Sequence, residues 1–162
     1  MTLTQLEYTY NFHDSDVFTP FETNGDSIIV VFNLAKHLQY DELKSRYGNS
    51  LNNKANNLIV KVKFSNCLDL QVSEWNHCTS NTKNQKKQNE RTITIEDFDA
   101  DSDFISLSIS EEDKISFRFE KLEKNGKLIK LSEIKFVCQN IEILEESLLD
   151  SFEYDKVLSA HS

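Results

Sequence analysis

Proline occurs once and glycine three times in this 162-residue chain. That scarcity excludes collagen-like, elastic and proline-rich linker architectures, and it leaves little scope for glycine-rich phosphate cradles. No G-x-G-x-x-G, phosphate-loop, G-x-S-x-G or H-E-x-x-H pattern is present. Long apolar runs are missing too. The longest, Ile28 to Phe32, fits a buried strand and falls far short of the roughly twenty residues that span a bilayer. Met1 to Asp16 has neither a basic region nor an apolar stretch of the kind that opens a secretory leader. The cysteines (Cys67, Cys78, Cys138) are odd in number and there is no Asn-X-Ser/Thr acceptor, so a reducing, cytoplasmic setting is expected.

The chain is well supplied with core-forming residues: eleven Phe, five Tyr, one Trp and a hydrophobic content of 38%. With 28% charged residues it has the balance of a single folded domain covering 1–162, not of a disordered segment. Its charge is unevenly spread. From Thr92 to Ser162 there are 17 Asp/Glu against 8 Lys/Arg, a net of −9 and so the whole net charge of the protein. From Met1 to Arg91 the count is 10 against 10. The acidic half carries clear strand patterning, which implies a carboxylate-studded folded surface that repels nucleic acid and steers basic partners.

Alternation of apolar and polar residues predicts strands at Leu6 to Phe12, Leu58 to Phe64 and Leu68 to Val72, and the continuous apolar run of Ser27 to Phe32 predicts a strand buried on both faces. Residues Ser65 to Cys67 read as a turn or bulge. Further strands are expected around Ile93 and Ile95, at Ile105 to Ile109, at Ile115 to Phe119, and from Leu128 through Ile143, with an Asn125-Gly126 hairpin turn. Asn33 is placed to cap a helix from Leu34 towards Tyr47, stopped by Gly48. Leu148, Leu149, Phe152 and Leu158 have helical spacing, so 145–162 is expected as a C-terminal helix or tail. Residues 76–91 contain no aliphatic or aromatic side chain and are expected as an exposed polar loop. These elements predict an α+β fold, mostly antiparallel β, sandwich-like or a single curved sheet of about eight strands, with one or two short helices. The segments Val62 to Leu70 and Ile134 to Ile143 resemble each other loosely, through chance likeness of two strands or an internal repeat.

Candidate chemistry is sparse. Asp97, Asp99 and Asp101 alternate as at the start of a calcium-binding EF-hand loop, but Ser102 stands where that loop needs glycine and Ser108 where it needs a bidentate Glu. A solvated acidic bend is the better account. His77 and Cys78, with Cys67 ten residues earlier, lack the close paired spacing of a structural zinc site. Cys67 and Cys138 read as small buried hydrophobes. His13-Asp14-Ser15-Asp16 holds acid–base residue types but most simply forms a turn. Lys83, Lys86, Lys87 and Arg91 lack the interleaved aromatics of single-strand nucleic-acid binders. No cofactor and no metal is expected.

Val62 and Phe64 before Leu68-Asp69-Leu70, with Phe136-Val-Cys138-Gln-Asn-Ile141-Glu-Ile143 near the end, resemble the strand rhythm of small, acidic, β-rich immunity proteins of bacterial polymorphic-toxin systems. The resemblance covers Leu58 to Leu144. It implies a single-domain cytosolic inhibitor that binds a cognate toxin and has no catalysis of its own, and it carries no residue roles. The expected contacts with a basic protein partner are Glu96, Asp97, Asp99, Asp101, Asp103, Glu111, Glu112 and Asp113, read as crowding one strand-end region. Neither nucleic acid nor membrane is expected as a partner. The rival reading is a small enzyme or ligand-binding β-fold whose pocket gathers distant residues such as His13, His77 and Trp75.

Overall fold

The computed structural model describes residues 1–12, 15–18, 21–34, 45–48, 57–76, 90–92, 94–96, 98, 103–109, 114–149, 155–156 and 159–160. In chain order these form helix α1 (Leu3–Thr9) and strands β1 (Asp16–Val17), β2 (Glu22–Asn24), β3 (Ser27–Leu34), β4 (Asn57–Ser65), β5 (Leu68–Asn76), β6 (Glu90–Thr92), β7 (Asp103–Ile109), β8 (Ile115–Leu122), β9 (Leu128–Val137) and β10 (Asn140–Leu149). The fold is mostly antiparallel β in two sheets with little helix, as the alternation predicts. The first sheet runs β1-β3-β4-β10, with β2 also paired to β3, and the second runs β6-β5-β9-β8-β7. Short β1 and β2 share one side of β3, pairing with its Phe32–Asn33 end and its Ser27–Ile29 end.

Two strands cross from sheet to sheet at one corner. β4 passes through Asn66 and Cys67 into β5, while β9 passes through Cys138 and Gln139 into β10. The two crossings are paired with each other, Ser65 opposite Asn140 and Leu68 opposite Val137. Asn66 takes a positive φ of 54°, tolerable for Asn, at the bend where a turn or bulge was expected. The loosely similar segments Val62–Leu70 and Ile134–Ile143 are thus the two halves of one bent antiparallel ribbon. Before the bend Val62 and Phe64 are buried, as are Ile134 and Phe136, whereas Leu68 and Leu70 beyond it are exposed and burial resumes at Val72.

The core lies between the sheets. Ile28, Val30, Phe32 and Leu34 of β3 and Leu58, Val60, Val62 and Phe64 of β4 meet Val72, Ile115, Phe117, Phe119, Ile134 and Phe136 of the second sheet. Phe64, Phe117 and Phe136 form a closed aromatic triangle with centroids 5.4–5.7 Å apart. Each fully buried Phe or branched aliphatic here stabilises the fold by about 1.5–3 kcal/mol through the surface it removes from water. Phe98, stacked on Phe21 at 5.6 Å and tilted on Phe119 at 5.0 Å, carries the core to the β1/β2 side.

Several sequence expectations need correction. Leu6, Tyr8 and Tyr10 do not form a strand. Thr2 caps α1 and forms a reciprocal capping box with Gln5, so Leu3, Leu6 and Tyr10 are buried while Tyr8 is 68% exposed. The Met1 ammonium, just before the helix, donates to the Ile141 carbonyl of β10 at 3.0 Å. That contact occupies one backbone acceptor of the edge strand. Asn33 does not cap a helix. It and Leu34 remain in β3, opposite Ile59 and Leu58, because ladder pairing and burial on both faces outweigh a local capping preference. Of the helix expected from 34 to 47, only one turn at 45–48 falls within the described residues. Residues 145–149 belong to no tail helix: they continue β10, opposite Lys61 to Asn57. Helical turns occur only at 155–156 and 159–160 of the described tail. Of the loop expected over 76–91, Asn76 closes β5, Glu90 and Arg91 belong to β6, and 77–89 lie outside the described residues.

The Asn125-Gly126 turn joins β8 to β9 as expected, in a different form. Positive φ falls on Gly126 (84°) and not on Asn125. The Gly126 N–H donates to the Glu123 carbonyl at 2.9 Å and the Glu123 N–H to the Lys127 carbonyl at 2.8 Å. This is a three-residue loop ending in a left-handed glycine, not a two-residue turn with both residues left-handed.

Candidate functional site

Of the eight carboxylates expected at a partner-binding face, Glu96 is described and exposed, and Asp103 opens β7 opposite Glu120. Asp97, Asp99, Asp101, Glu111, Glu112 and Asp113 lie outside the described residues. The open end of the β7–β8 hairpin holds the β8–β9 hairpin tip, with Lys121 opposite Lys130 and with Lys124 and Lys127 in or beside the turn.

Among the described carboxylates elsewhere in the acidic half, several have a cationic neighbour. Glu133 meets Lys135 at 2.7 Å, Glu120 meets Arg118 at 2.9 Å, and Glu142 and Glu145 lie opposite Lys63 and Lys61 on the outer face of the first sheet. Exposed pairs of this kind add little stability, but they cancel much of the local field.

The most organised polar cluster centres on Glu146. A register shift between Ile143 and Glu145 places an extra residue, Leu144, in β10. Before the shift, Ile141 and Ile143 face the core opposite Phe64 and Val62. After it, Glu146 and Leu148 do so opposite Val60 and Leu58. The bulge therefore turns a glutamate inward. Its Oε2 accepts from the Tyr10 hydroxyl, and its Oε1 accepts from the Tyr47 hydroxyl at 2.6 Å. Arg46 Nη2 donates to both oxygens, at 2.7 and 3.0 Å, and its guanidinium lies 5.5 Å from the Tyr47 ring centroid. Burial, then the hydrogen bond to Glu146 and its charge, raise both tyrosines, Tyr47 to about 12. With both oxygens occupied and both phenols held protonated, the cluster ties α1, the 45–48 turn and β10 together and offers no free base or nucleophile.

A second polar cluster lies on the inner face of the second sheet, near its open end. The rows Phe117–Ile134–Val72 are followed by Phe119–Ser132–Glu74 and then by Lys121–Lys130–Asn76. Glu74 is 5% exposed and Ser132 1%, and Lys130 Nζ stands 3.5 Å from the Glu74 carboxylate. Sequence reading missed both clusters. The signal for Glu74 was present, since it holds the inward phase of Val72-x-Glu74. For Glu146 the bulge erased the phase.

His13 and His77, named for the rival pocket, lie outside the described residues, and Trp75 is half-buried in β5. Among the described residues no group of three His, Cys, Asp or Glu could hold a metal ion, and no helix is long and apolar enough to cross a membrane. No family model, no curated protein and no solved structure matches the chain.

Proposed function

We propose that this protein is a non-enzymatic binding module that neutralises a basic protein, in the manner of a cytoplasmic immunity protein acting on a nucleic-acid-cleaving toxin. The observation that carries the proposal is the confinement of the net charge of −9 to Thr92–Ser162, the stretch that supplies β7 to β10. Along the chain, the carboxylates of 96–101 precede the edge strand β7 and those of 111–113 follow it. An interface of standard size buries about 800 Å² per partner, roughly 30 Å across, and reaches both ends of that strand. A toxin's phosphate-binding Lys/Arg patch is complementary to such a surface. Charge steering then makes association fast and salt-dependent, while apolar anchors set dissociation.

The test is the association rate with a basic nuclease domain, starting with the product of the neighbouring reading frame, at increasing ionic strength. A rate that falls steeply with salt, and falls again in Glu111→Gln/Glu112→Gln, supports the proposal. A salt-independent rate, unchanged in that variant, overturns it.

One observation favours the rival reading of a ligand-binding β-fold, namely Glu74, Lys130 and Ser132 meeting on the inner face above Phe119. Nuclear magnetic resonance shifts of those residues on adding a small polar ligand, with no response to the basic protein, would select it.

A further inference from the structure

We infer that Cys67 and Cys138 are a dithiol switch that closes into a cross-strand disulfide at the sheet-crossing corner. Two residues of each strand lie between the paired positions Ser65/Asn140 and Leu68/Val137: Asn66 and Cys67 on one, Cys138 and Gln139 on the other. Asn66 and Gln139 face each other, Nδ2 donating to Oε1 at 3.1 Å, which leaves Cys67 facing Cys138. Both are half-buried free thiols packed on the core. The corner around them is braced. The Cys67 N–H donates to the Asp26 carbonyl at 2.8 Å, its Sγ to the Phe64 carbonyl at 3.4 Å, and the Gln139 N–H to the Ser65 carbonyl at 3.1 Å. Directly opposed residues of an antiparallel ribbon bring their Cβ atoms to about 4.5–5.5 Å, so a small adjustment reaches the 3.5–4.5 Å of a disulfide.

The two thiols are not equivalent. Burial raises both, and the charge of Cys138 raises Cys67 further, to about 11. The Met1 ammonium acts the other way on Cys138 alone. Either thiol can open the exchange, and the balance is the same when Cys138 does so. Its thiolate attacks one sulfur of a low-molecular-weight disulfide such as oxidised glutathione, forming a mixed disulfide and expelling one glutathione thiolate. The Cys67 thiolate then attacks the Cys138 sulfur and expels the second. The protein loses two electrons, one Cys67–Cys138 bond forms, the glutathione disulfide is reduced to two thiols, and these take up the two protons. The closed bond ties β4–β5 to β9–β10 across some seventy residues of chain. By constraining the unfolded state it raises Tm by about 10 °C.

The experiment treats the full chain and its Cys78→Ser variant with oxidised glutathione under native conditions, followed by peptide mapping and thermal unfolding with and without reductant. The expected result is a linked Cys67–Cys138 peptide pair in both proteins, a monomer, and a reductant-reversible gain in Tm. Cys67→Ser should stop at Cys138 carrying glutathione. Linkage through Cys78, linkage between molecules, or two thiols that stay free in excess oxidant would each overturn the inference.

Discussion

Removing the Tyr10 hydroxyl tests whether the Glu146 cluster holds the first sheet to its covering helix. Tyr10 is 2% exposed and its ring packs edge-on to Phe12 at 6.1 Å, so Tyr10→Phe deletes the hydroxyl and keeps the aromatic packing. A hydrogen bond to a charged group contributes about 1.5–3 kcal/mol, and Glu146 keeps Tyr47 and Arg46, so the expected loss is about 2 kcal/mol. Glu146→Ala is worse. It strands the buried Tyr10 hydroxyl, removes the acceptor of Tyr47 and empties space beside Val60, for a loss of about 3–4 kcal/mol. Arg46 is the weakest partner, because its side chain is 55% exposed, and Arg46→Ala should cost under about 1 kcal/mol. Against a total stability of about 5–15 kcal/mol these are resolvable differences. Urea unfolding at equilibrium measures each variant, and the double variant Tyr10→Phe/Glu146→Ala closes the cycle. Its loss should fall short of the summed singles by about 1.5–2 kcal/mol, with an unchanged denaturant slope. A coupling within about 0.5 kcal/mol of zero would refute the reasoning, since independent sites add to within that margin.

Three further outcomes follow from the same physics. Tyr10 and Tyr47 hold their protons more tightly when folded than the ordinary tyrosine value of 10.0, so their contribution is complete below about pH 10 and is lost as pH rises through about 12; unfolding free energy measured across that window should fall in the wild type and fall less in Tyr47→Phe. Phe64→Ala opens a cavity in the aromatic triangle and should cost about 3–5 kcal/mol by chemical denaturation, whereas Phe64→Leu should cost less than half as much. Gly126→Ala meets no neighbour within 4 Å, so only the strain of its φ of 84° is paid, about 1 kcal/mol in Tm-derived stability with the hairpin's nuclear magnetic resonance pattern intact.

The periodicity of the chain made most of the sandwich legible. Strict alternation at Leu58–Phe64, Ile115–Phe119 and Ile134–Phe136 marks residues that bury one face of a strand, and all three segments do so. It failed at Leu6–Phe12, where a period of two competed with the Thr2/Gln5 capping box and the box won, because the Thr2 and Gln5 backbone donors at the helix start find their partners in it. It failed again after Ile143, where one inserted residue moved Glu146 to the inner face. Such a shift leaves no mark in composition, since it depends on the register against β4.

Composition and order by themselves decided that the chain folds as β-rich layers, that its net charge lies beyond Thr92, and that no familiar catalytic motif is present, for these depend only on residue type and spacing. Tertiary structure alone decided which distant residues meet. A bulge gave Glu146 its two tyrosines, and two strands crossing one corner set Ser65 to Leu68 against Val137 to Asn140. Contacts between residues some seventy or more positions apart are set by strand order and register, and those are properties of the assembled sheets, not of any local stretch of chain.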